Sequence, residues 1–170
     1  MDTKLEIDLI EPRHGGDLAR FGECYGKKKS EIIDFSSNVN PLGVPESLVK
    51  TYLDSLRDLS AYPDPYSRAL SKKIASFFSL PYEHVIAGNG STGILDAAVR
   101  ALRPKRALLI EPCFGEYRRL LGLQGSEILS VVMSREDDFK FPLGTILSRL
   151  NSLDLLILGH PNNPTGTALS

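Results

Sequence analysis

This sequence of 170 residues has no excess of charge of either sign, because 20 basic and 21 acidic residues leave a formal net charge of −1. Its basic residues form no block longer than the three lysines at positions 27–29. A protein that binds nucleic acid carries a clustered excess of Lys and Arg. The composition therefore argues against nucleic acid as a partner, and we interpret the lysine run as a solvated turn.

Cysteine is also scarce, and Cys24 and Cys113 have neither CxxC nor metal-ligand spacing. A disulfide framework or a zinc site needs more cysteines at closer spacing, so we expect a reducing compartment and no metal. No apolar run approaches the ~20 residues that a membrane helix needs. Acidic residues interrupt the apolar runs at the N-terminus, which argues against a signal peptide. We therefore expect a cytoplasmic protein that does not bind membranes.

With 42% hydrophobic residues, the chain can bury one core of ordinary size. From residue 85 onward, short apolar runs alternate with helical patterns, as in RALLIE, GEYRRLLGL and EILSVV. The alternation predicts β-α-β-α-β-α-β, beginning with a strand at 85–87 and ending with a strand in LDLLILGH. Near-continuous apolar strands separated by helices are typical of a parallel sheet with helices on both faces. The predicted fold class is therefore α/β, a three-layer αβα arrangement with a mostly parallel sheet between two layers of helices.

The sequence before residue 84 is organised differently. Residues 1–40 contain little apolar material, so we expect an arm without a core of its own. DFSSNVNPLGVP predicts a loop, and Pro45 predicts the start of a helix that runs to about Leu59. YPDPYSRALSKKIASFF predicts a turn followed by a second helix.

The stretch GNGSTG opens the first helix of the alternating region. Its glycines Gly88, Gly90 and Gly93 match G-x-G-x-x-G, and Glu111 stands where the ribose-binding acid of a dinucleotide site is expected. The unpaired N–H groups of a helix N-terminus also hold other phosphates. A plain turn with a Ser or Thr cap fits the same residues. The pattern alone leaves these three alternatives open.

Two further motifs follow later predicted strands. PCFGEY places Phe114 after the RALLIE strand, where an aromatic ring suits either the core or the face of a flat heterocycle. PNNPTG places Asn163 after the last predicted strand, in a sequence that also suits an ordinary turn. Ligands of open α/β sheets bind at the carboxyl ends of the strands. Together with the glycine turn, these loops predict a binding site.

The order of these motifs resembles a known family. YPDP, GNGST, PCFGEY and NNPTG follow one another in the aspartate-aminotransferase-like (fold type I) pyridoxal-phosphate (PLP) enzymes. With HGG and DFSSNVNPLG before them, the chain looks similar to the threonine-phosphate decarboxylases of cobalamin biosynthesis and the related histidinol-phosphate aminotransferases. The resemblance spans residues 14–166. It implies that residues 1–40 are an N-terminal arm or small-domain segment, and that 41–170 are the first, incomplete part of the PLP-binding large domain.

The resemblance implies PLP as the cofactor and assigns its contacts. Phe114 is expected to stack on the pyridine ring, and Asn163 to hydrogen-bond the ring's 3-oxygen. The cofactor phosphate is expected on the N-terminal turn of the helix, at the residues Gly90, Ser91 and Thr92. A single phosphate replaces the dinucleotide in this interpretation, so Glu111 and Gly93 have no special role.

The remaining implied roles concern the partner subunit and the substrate. Tyr62 of YPDP is expected to reach the partner's cofactor phosphate, which implies a homodimer. The substrate is expected to be a small phosphorylated amino acid, bound by His14, Gly15 and Asn38.

The family's Schiff-base lysine lies beyond the NPTG turn, so no catalytic residue is expected in this chain. Lys105 and Lys140 precede the turn and do not fit that role. Because the sequence stops where a further helix is expected, we interpret it as the N-terminal part of a longer enzyme. The expected reaction is decarboxylation of L-threonine O-3-phosphate. The alternatives are a histidinol-phosphate-type aminotransferase, and a non-catalytic module that binds PLP or phosphate or mediates dimerisation.

Overall fold

A computed structural model describes residues 15–169 of the chain. The chain forms two compact units, one ending at Tyr82 and the other starting at Glu83. Each unit is described by itself. Within residues 15–169, no helix is long and apolar enough to cross a membrane.

Within residues 15–82, the first unit contains three helices joined by loops and short 3-10 turns. They are α1 (Leu18–Tyr25), α2 (Glu46–Ser55) and α3 (Arg68–Phe78). Asp17 caps α1, because its side chain accepts a hydrogen bond from the backbone N–H of Arg20. Gly26 ends the same helix in the left-handed conformation, with a φ of 62°.

The helix predicted to start at Pro45 is confirmed. Pro45 directly precedes α2, and the chain continues beyond Ser55 as a 3-10 turn, Leu56–Ser60. Proline suits this position because its fixed φ fits the start of a helix and its missing N–H is not needed there.

The YPDP turn fixes the start of α3, the second predicted helix of this region. The carboxylate of Asp64 accepts hydrogen bonds from the backbone N–H groups of Arg68 (2.8 Å) and Tyr66 (3.1 Å). These bonds favour the ionised carboxylate and lower the pKa of Asp64. The Arg68 guanidinium also pairs with the same carboxylate at 2.8 Å.

The second unit alternates helices and parallel strands. Its elements are α4 (Gly90–Leu102), β1 (Arg106–Glu111), α5 (Gly115–Leu123), β2 (Glu127–Val132), α6 (Leu143–Arg149) and β3 (Leu155–Ile157). The strand order is β2-β1-β3, and both neighbouring pairs are parallel. In the register of the sheet, Leu108 of β1 stands opposite Leu129 of β2 and Leu156 of β3.

The sheet separates two hydrophobic clusters, because alternate residues of β1 point to opposite faces. The cluster on the α6 face contains Leu108, Ile110, Val131, Met133 and Ile146. The cluster on the face covered by α4 and α5 contains Val99, Ala107, Leu109 and Leu121. Helices therefore cover both faces of the parallel sheet, which confirms the predicted three-layer α/β class.

Asp154 stabilises the edge of the sheet at which the strands begin. Its carboxylate accepts hydrogen bonds from the backbone N–H groups of Lys105 (2.8 Å) and Arg106 (2.9 Å). The residue precedes β3, so it joins the start of β3 to the start of β1. Both bonds favour the ionised form and lower the pKa of Asp154.

The strand predicted at 85–87 does not form. These residues precede α4 without pairing with any described strand, and Ile86 is 76% exposed. A β-strand needs a neighbouring strand to complete its backbone hydrogen bonds. The sequence of three residues does not show whether such a neighbouring strand is present. The described sheet therefore has three strands, where the sequence predicted four.

Candidate functional site

The glycine turn lies at the N-terminus of α4. Gly90 adopts a left-handed conformation with a φ of 70°, and a Cβ added there would meet no atom within 4 Å. Asn89, the N-cap residue, makes no side-chain capping bond. The first N–H groups of a helix have no partner within the helix, so those of this first turn remain available to an acceptor. The hydroxyls of Ser91 and Thr92 add further donors.

This N-terminus returns to the edge of the sheet where β1 ends. The 13 residues of α4 span about 20 Å, and the six residues of β1 span about the same length. Only residues 103–105 separate the two elements, and Val99 of α4 packs against Ala107 and Leu109 of β1. The helix therefore runs antiparallel to the strand, and its N-terminus faces the carboxyl edge of the sheet.

Phe114 lies in the loop that follows β1 at this edge. It is partly buried and occupies the N-cap position of α5. Its ring meets the Tyr117 ring edge-to-face, with centroids 5.6 Å apart and an interplanar angle of 87°. Aromatic pairs in this geometry contribute ~0.5–1.5 kcal/mol beyond area burial. The pair holds the Phe114 ring at the edge of the sheet.

Cys113 precedes Phe114 and is not an activated thiol. Burial raises the pKa of the Cys113 thiol to about 11, and the nearby Glu111 carboxylate adds to this effect, while Arg118 opposes it. A thiol with this pKa stays protonated at neutral pH. Its sulfur packs against the hydrophobic cluster on the α5 face of the sheet. Cys113 therefore contributes packing at this site and no nucleophile.

Glu111 is engaged in an ion pair. Its carboxylate lies 2.6 Å from the Arg118 guanidinium, which also donates a hydrogen bond to the Ser130 hydroxyl at 2.8 Å. The pairing joins the end of β1 to α5 and to β2. This structural role matches the interpretation in which Glu111 does not bind a ribose.

The PNNPTG loop follows β3 at the same edge and contains two asparagines with different environments. Asn163 is exposed, and its side chain makes no hydrogen bond within residues 15–169. Asn162 is only 4% exposed. Its Nδ2 donates hydrogen bonds to the carbonyl of Pro112 at 3.0 Å and to the hydroxyl of Thr165 at 2.8 Å. The PNNPTG loop is thereby bonded to the loop that carries Phe114.

The backbone of the PNNPTG loop is closed by two further hydrogen bonds. The Asn162 N–H donates to the carbonyl of Thr167, and the Asn162 carbonyl accepts from the N–H of Gly166, both at 2.7 Å. Gly166 has a φ of 73°, a conformation that glycine adopts without strain. The loop is therefore a compact turn around Asn162, with Asn163 on its exposed side.

Three of the site residues predicted in the first unit lie in the described part of the chain. Gly15 and Asn38 belong to segments that contact each other, and Tyr62 is an exposed side chain. Gly15 lies against Ser36, and the N–H of Gly16 donates a hydrogen bond to the Ser36 hydroxyl at 2.9 Å. Asn38 is exposed and lies two residues beyond Ser36. The structure thus brings Gly15 to the segment that carries Asn38. Tyr62 is 92% exposed, and His14 lies outside the described residues.

Asp34 organises the segment next to Gly15. Its carboxylate accepts hydrogen bonds from the Ser36 hydroxyl at 2.6 Å, from the Ser36 backbone N–H at 2.7 Å, and from the Ser37 hydroxyl. The side-chain bond from Ser36 is the largest of several hydrogen bonds that lower the pKa of Asp34. Neither Asp34 nor Asn162 was predicted from the sequence as a site residue. The run D-x-S-S is a signal for the first, because Asp and Ser side chains close such turns.

Three predicted contacts of the second unit therefore lie at one edge of the sheet: the α4 N-terminus, Phe114 and Asn163. They supply N–H and hydroxyl donors for an anion, an aromatic ring, and an exposed amide. In the described part of the chain, no group of three or more His, Cys, Asp or Glu side chains is placed to hold a metal ion. The arrangement fits a flat, phosphorylated organic molecule with a polar ring substituent.

Comparison with known proteins identifies the family of the chain. The fold belongs to the α/β class with a parallel sheet, in which ligands bind at the carboxyl ends of the strands. The family model "Aminotransferase class I and II" matches residues 30–170, and the chain belongs to this family. Members of the family depend on PLP.

Individual relatives carry two kinds of name. The chain is 33% identical over 158 residues to a threonine-phosphate decarboxylase of Salmonella typhimurium, covering 93% of this chain and 43% of that protein. It is 36% identical over 167 residues to a histidinol-phosphate aminotransferase of Methylobacillus flagellatus, covering 96% and 45%. The crystal structure of L-threonine-O-3-phosphate decarboxylase from Porphyromonas gingivalis is 25% identical with a TM-score of 0.68, covering 81% of this chain and 40% of that one. The chain spans less than half the length of each of these proteins.

PLP fits the donors at the sheet edge. Its phosphate requires N–H and hydroxyl groups without acceptors, which the first turn of α4 supplies. The open space above Gly90 leaves room for an anion to approach the backbone. Its pyridine ring requires a flat apolar surface, and its 3-oxygen requires an amide such as that of Asn163. These residues would hold the cofactor.

Proposed function

We propose that this chain is the N-terminal part of a cytoplasmic PLP-dependent enzyme that acts on a phosphorylated amino acid, and that the reaction is decarboxylation of L-threonine O-3-phosphate in cobalamin biosynthesis. One observation carries the proposal. The uncapped N-terminus of α4, Phe114 and Asn163 share one edge of a parallel sheet, and the loops of the last two are hydrogen-bonded to each other through Asn162 and Pro112.

The glycine turn binds the phosphate of the cofactor. An anion at a helix N-terminus gains about 0.3–1 kcal/mol from the helix dipole, and up to ~2 kcal/mol where it is partly buried. The hydroxyls of Ser91 and Thr92 donate charge-assisted hydrogen bonds to the same oxygens. This contact fixes one end of the molecule, and Phe114 and Asn163 then fix the plane and rotation of its ring.

The bound cofactor supplies an electron sink for the carbanion formed at the α-carbon of an amino acid. The chain's own contribution is orientation. The orientation of the substrate's α-carbon bonds relative to the cofactor would decide between decarboxylation and amino transfer. In this proposal Gly15, Asn38 and His14 contact the substrate, so they help to choose between the two reactions.

A titration with two ligands tests the cofactor site. Both PLP and pyridoxal, which lacks the phosphate, are titrated against the chain, and binding is followed by absorbance and fluorescence. A variant that carries Ser91→Ala and Thr92→Val should weaken PLP binding at least about a hundred-fold, because each lost hydrogen bond to an anion is worth about 1.5–3 kcal/mol. It should leave pyridoxal binding unchanged, because pyridoxal has no group at this position.

Asn163→Leu is the matched control for the same titration. Because Asn163 acts on the ring and not on the phosphate, this variant should weaken PLP and pyridoxal by the same factor. Wild-type chain that binds neither ligand, or that binds NAD more tightly than PLP, contradicts the proposal. Loss of PLP binding only through unfolding is recognised by circular dichroism of each variant.

A second candidate function is that of a histidinol-phosphate aminotransferase, which the 36% identity to the Methylobacillus flagellatus protein favours. The two candidates differ in their reaction products. A longer protein that includes this chain is supplied with L-threonine O-3-phosphate, or with histidinol phosphate and a 2-oxo acid. Release of carbon dioxide from the first substrate supports the decarboxylase, and amino transfer from the second without carbon dioxide supports the aminotransferase.

We also propose that the enzyme is a homodimer in which Tyr62 contacts the partner's cofactor phosphate. The exposure of this side chain, 92% within the chain, leaves its hydroxyl available to another molecule. Tyr62→Phe should weaken PLP binding about ten-fold in the dimer, since one hydrogen bond to an anion is lost. Sedimentation velocity measures the oligomeric state, and a monomeric protein that still binds PLP contradicts this part of the proposal.

A further inference from the structure

Asn162 and Asn163 are adjacent, but their side chains face opposite environments. Asn163 is exposed, whereas Asn162 is 4% exposed and uses both N–H groups of its amide within the protein. A ligand at the edge of the sheet can therefore meet Asn163 and has no access to the bonded amide of Asn162. The function of Asn162 must be exerted through the residues that it holds.

The first of these is Pro112, whose carbonyl accepts a hydrogen bond from Asn162 Nδ2 at 3.0 Å across 50 residues of sequence. Pro112 directly follows β1 and stands two residues before Phe114. The bond crosses from the loop after β3 to the loop after β1, which are neighbouring strands. The backbone hydrogen bonds of the sheet end with the strands and do not hold the loops that follow. The bond from Asn162 to Pro112 therefore sets the separation of these two loops.

The second partner is Thr165, which accepts the other N–H of the Asn162 amide at 2.8 Å. The Thr165 hydroxyl also lies 2.7 Å from the hydroxyl of Thr167, and Thr167 accepts the backbone N–H of Asn162. These bonds return the chain onto Asn162 directly after Asn163. They hold the backbone on both sides of Asn163, so its Cα–Cβ bond keeps one direction.

We infer that Asn162 is a positioning residue, which holds Asn163 and the Phe114 loop at the separation that the PLP ring requires. This inference rests on the proposed function. A site held in advance in its binding geometry loses less conformational entropy when the ligand binds. Asn162 would therefore raise the affinity for PLP without touching it.

The experiment compares four variants of the chain by PLP titration and by amide hydrogen exchange. Asn162→Leu keeps the approximate volume and removes both donated bonds. Asn162→Asp keeps the shape but replaces the donor with an acceptor that repels the Pro112 carbonyl. Thr165→Val removes the hydrogen bonds of the Thr165 hydroxyl to Asn162 and Thr167 and leaves the bond from Asn162 to Pro112, whereas Thr165→Ser keeps the hydroxyl.

The expected result has a pattern that general destabilisation does not produce. Both substitutions at Asn162 should weaken PLP binding about ten-fold and speed exchange of the amides at 113–117. Thr165→Val should speed exchange in 162–167 only, and Thr165→Ser should restore the wild-type rate. Exchange in β1 and β2 should stay unchanged in every variant, which shows that the unit is still folded.

Two outcomes separate this inference from the proposed function. If wild-type chain binds PLP and both Asn162 variants bind it equally well, the positioning role is wrong and the cofactor site stands. If wild-type chain does not bind PLP, the proposed function is wrong, and hydrogen exchange alone decides on the connection between the loops. If amide exchange at 113–117 is unchanged in Asn162→Leu, the proposed connection between the two loops is wrong.

Discussion

Gly15 lies so close to Ser36 that a Cβ added to Gly15 would stand 1.6 Å from the Ser36 carbonyl oxygen. Real Cβ atoms do not approach a backbone oxygen this closely, so any side chain at position 15 must displace one of the two segments. The contact joins the start of the described chain to the segment around Asp34, which carries Asn38 two residues beyond Ser36.

Gly15→Ala is therefore expected to release residues 34–37 from this contact. The substitution should cost about 1–3 kcal/mol, as overpacking of a close contact does, and amide exchange in 34–37 should become faster. Ser36→Ala is the comparison, because it removes the hydroxyl that bonds to the Gly16 N–H and to the Asp34 carboxylate but leaves the backbone contact in place. Equal exchange in wild type and Gly15→Ala would show that the contact does not order this segment.

The two glycines at the start of α4 should respond in opposite directions to alanine. Gly90 has a φ of 70°, and alanine in that conformation costs about 1–2 kcal/mol. Gly93 has neither a positive φ nor any atom within 4 Å of an added Cβ, and alanine is the better helix former there by ~0.5–1 kcal/mol. Urea unfolding followed by circular dichroism measures both, and destabilisation by Gly93→Ala would contradict its assignment as an ordinary helix position.

The cysteines should differ in reactivity. With the pKa of Cys113 raised to about 11, only about one Cys113 thiol in a thousand is ionised at pH 8. Cys24 is exposed. Iodoacetamide at pH 8 should therefore modify Cys24 more than ten-fold faster, as measured by mass spectrometry of the peptides. In urea the two rates should converge, and equal rates in the folded protein would show that burial does not protect Cys113.

Asp154 should make stability depend on pH in the acidic range. Because its pKa is lowered in the folded protein from an ordinary value of 3.8, its contribution is complete above that value and is lost as the pH falls through the folded-state pKa. Asp154→Asn should lower the urea midpoint at pH 7, and the difference from wild type should shrink below about pH 4. Asp54→Asn on the exposed α2 serves as control, and a pH-independent effect of Asp154→Asn contradicts the assignment.

Much of the second unit could be predicted from local pattern. The strand at Arg106–Glu111 is buried on both faces and reads as an unbroken apolar run, and the helix after GNGSTG follows from its turn and its periodic apolar residues. The segment at 85–87 has the same apolar character but forms no strand. Its outcome depends on a partner strand distant in sequence, which local pattern does not contain.

The candidate site was predictable to a similar extent. The sheet topology explains why the residues after β1 and β3 lie at one edge, and this rule is available from sequence. The different environments of Asn162 and Asn163 could not be predicted from the sequence, because both are the same residue type in the same turn. The Asn162 amide bonds to the Pro112 carbonyl, 50 residues away in sequence, and local pattern does not contain that contact.

The central strand β1 also defines a chemical boundary. Residues 107–110 are no more than 2% exposed, so four consecutive positions of this strand exclude water. At the next residue, Glu111, a carboxylate already meets a guanidinium, and Phe114 follows three residues later. The transition from a dry interior to a polar surface therefore occurs within one residue. A single-residue deletion in β1 would move a charged group into the interior and draw the Phe114 loop inward at the same time.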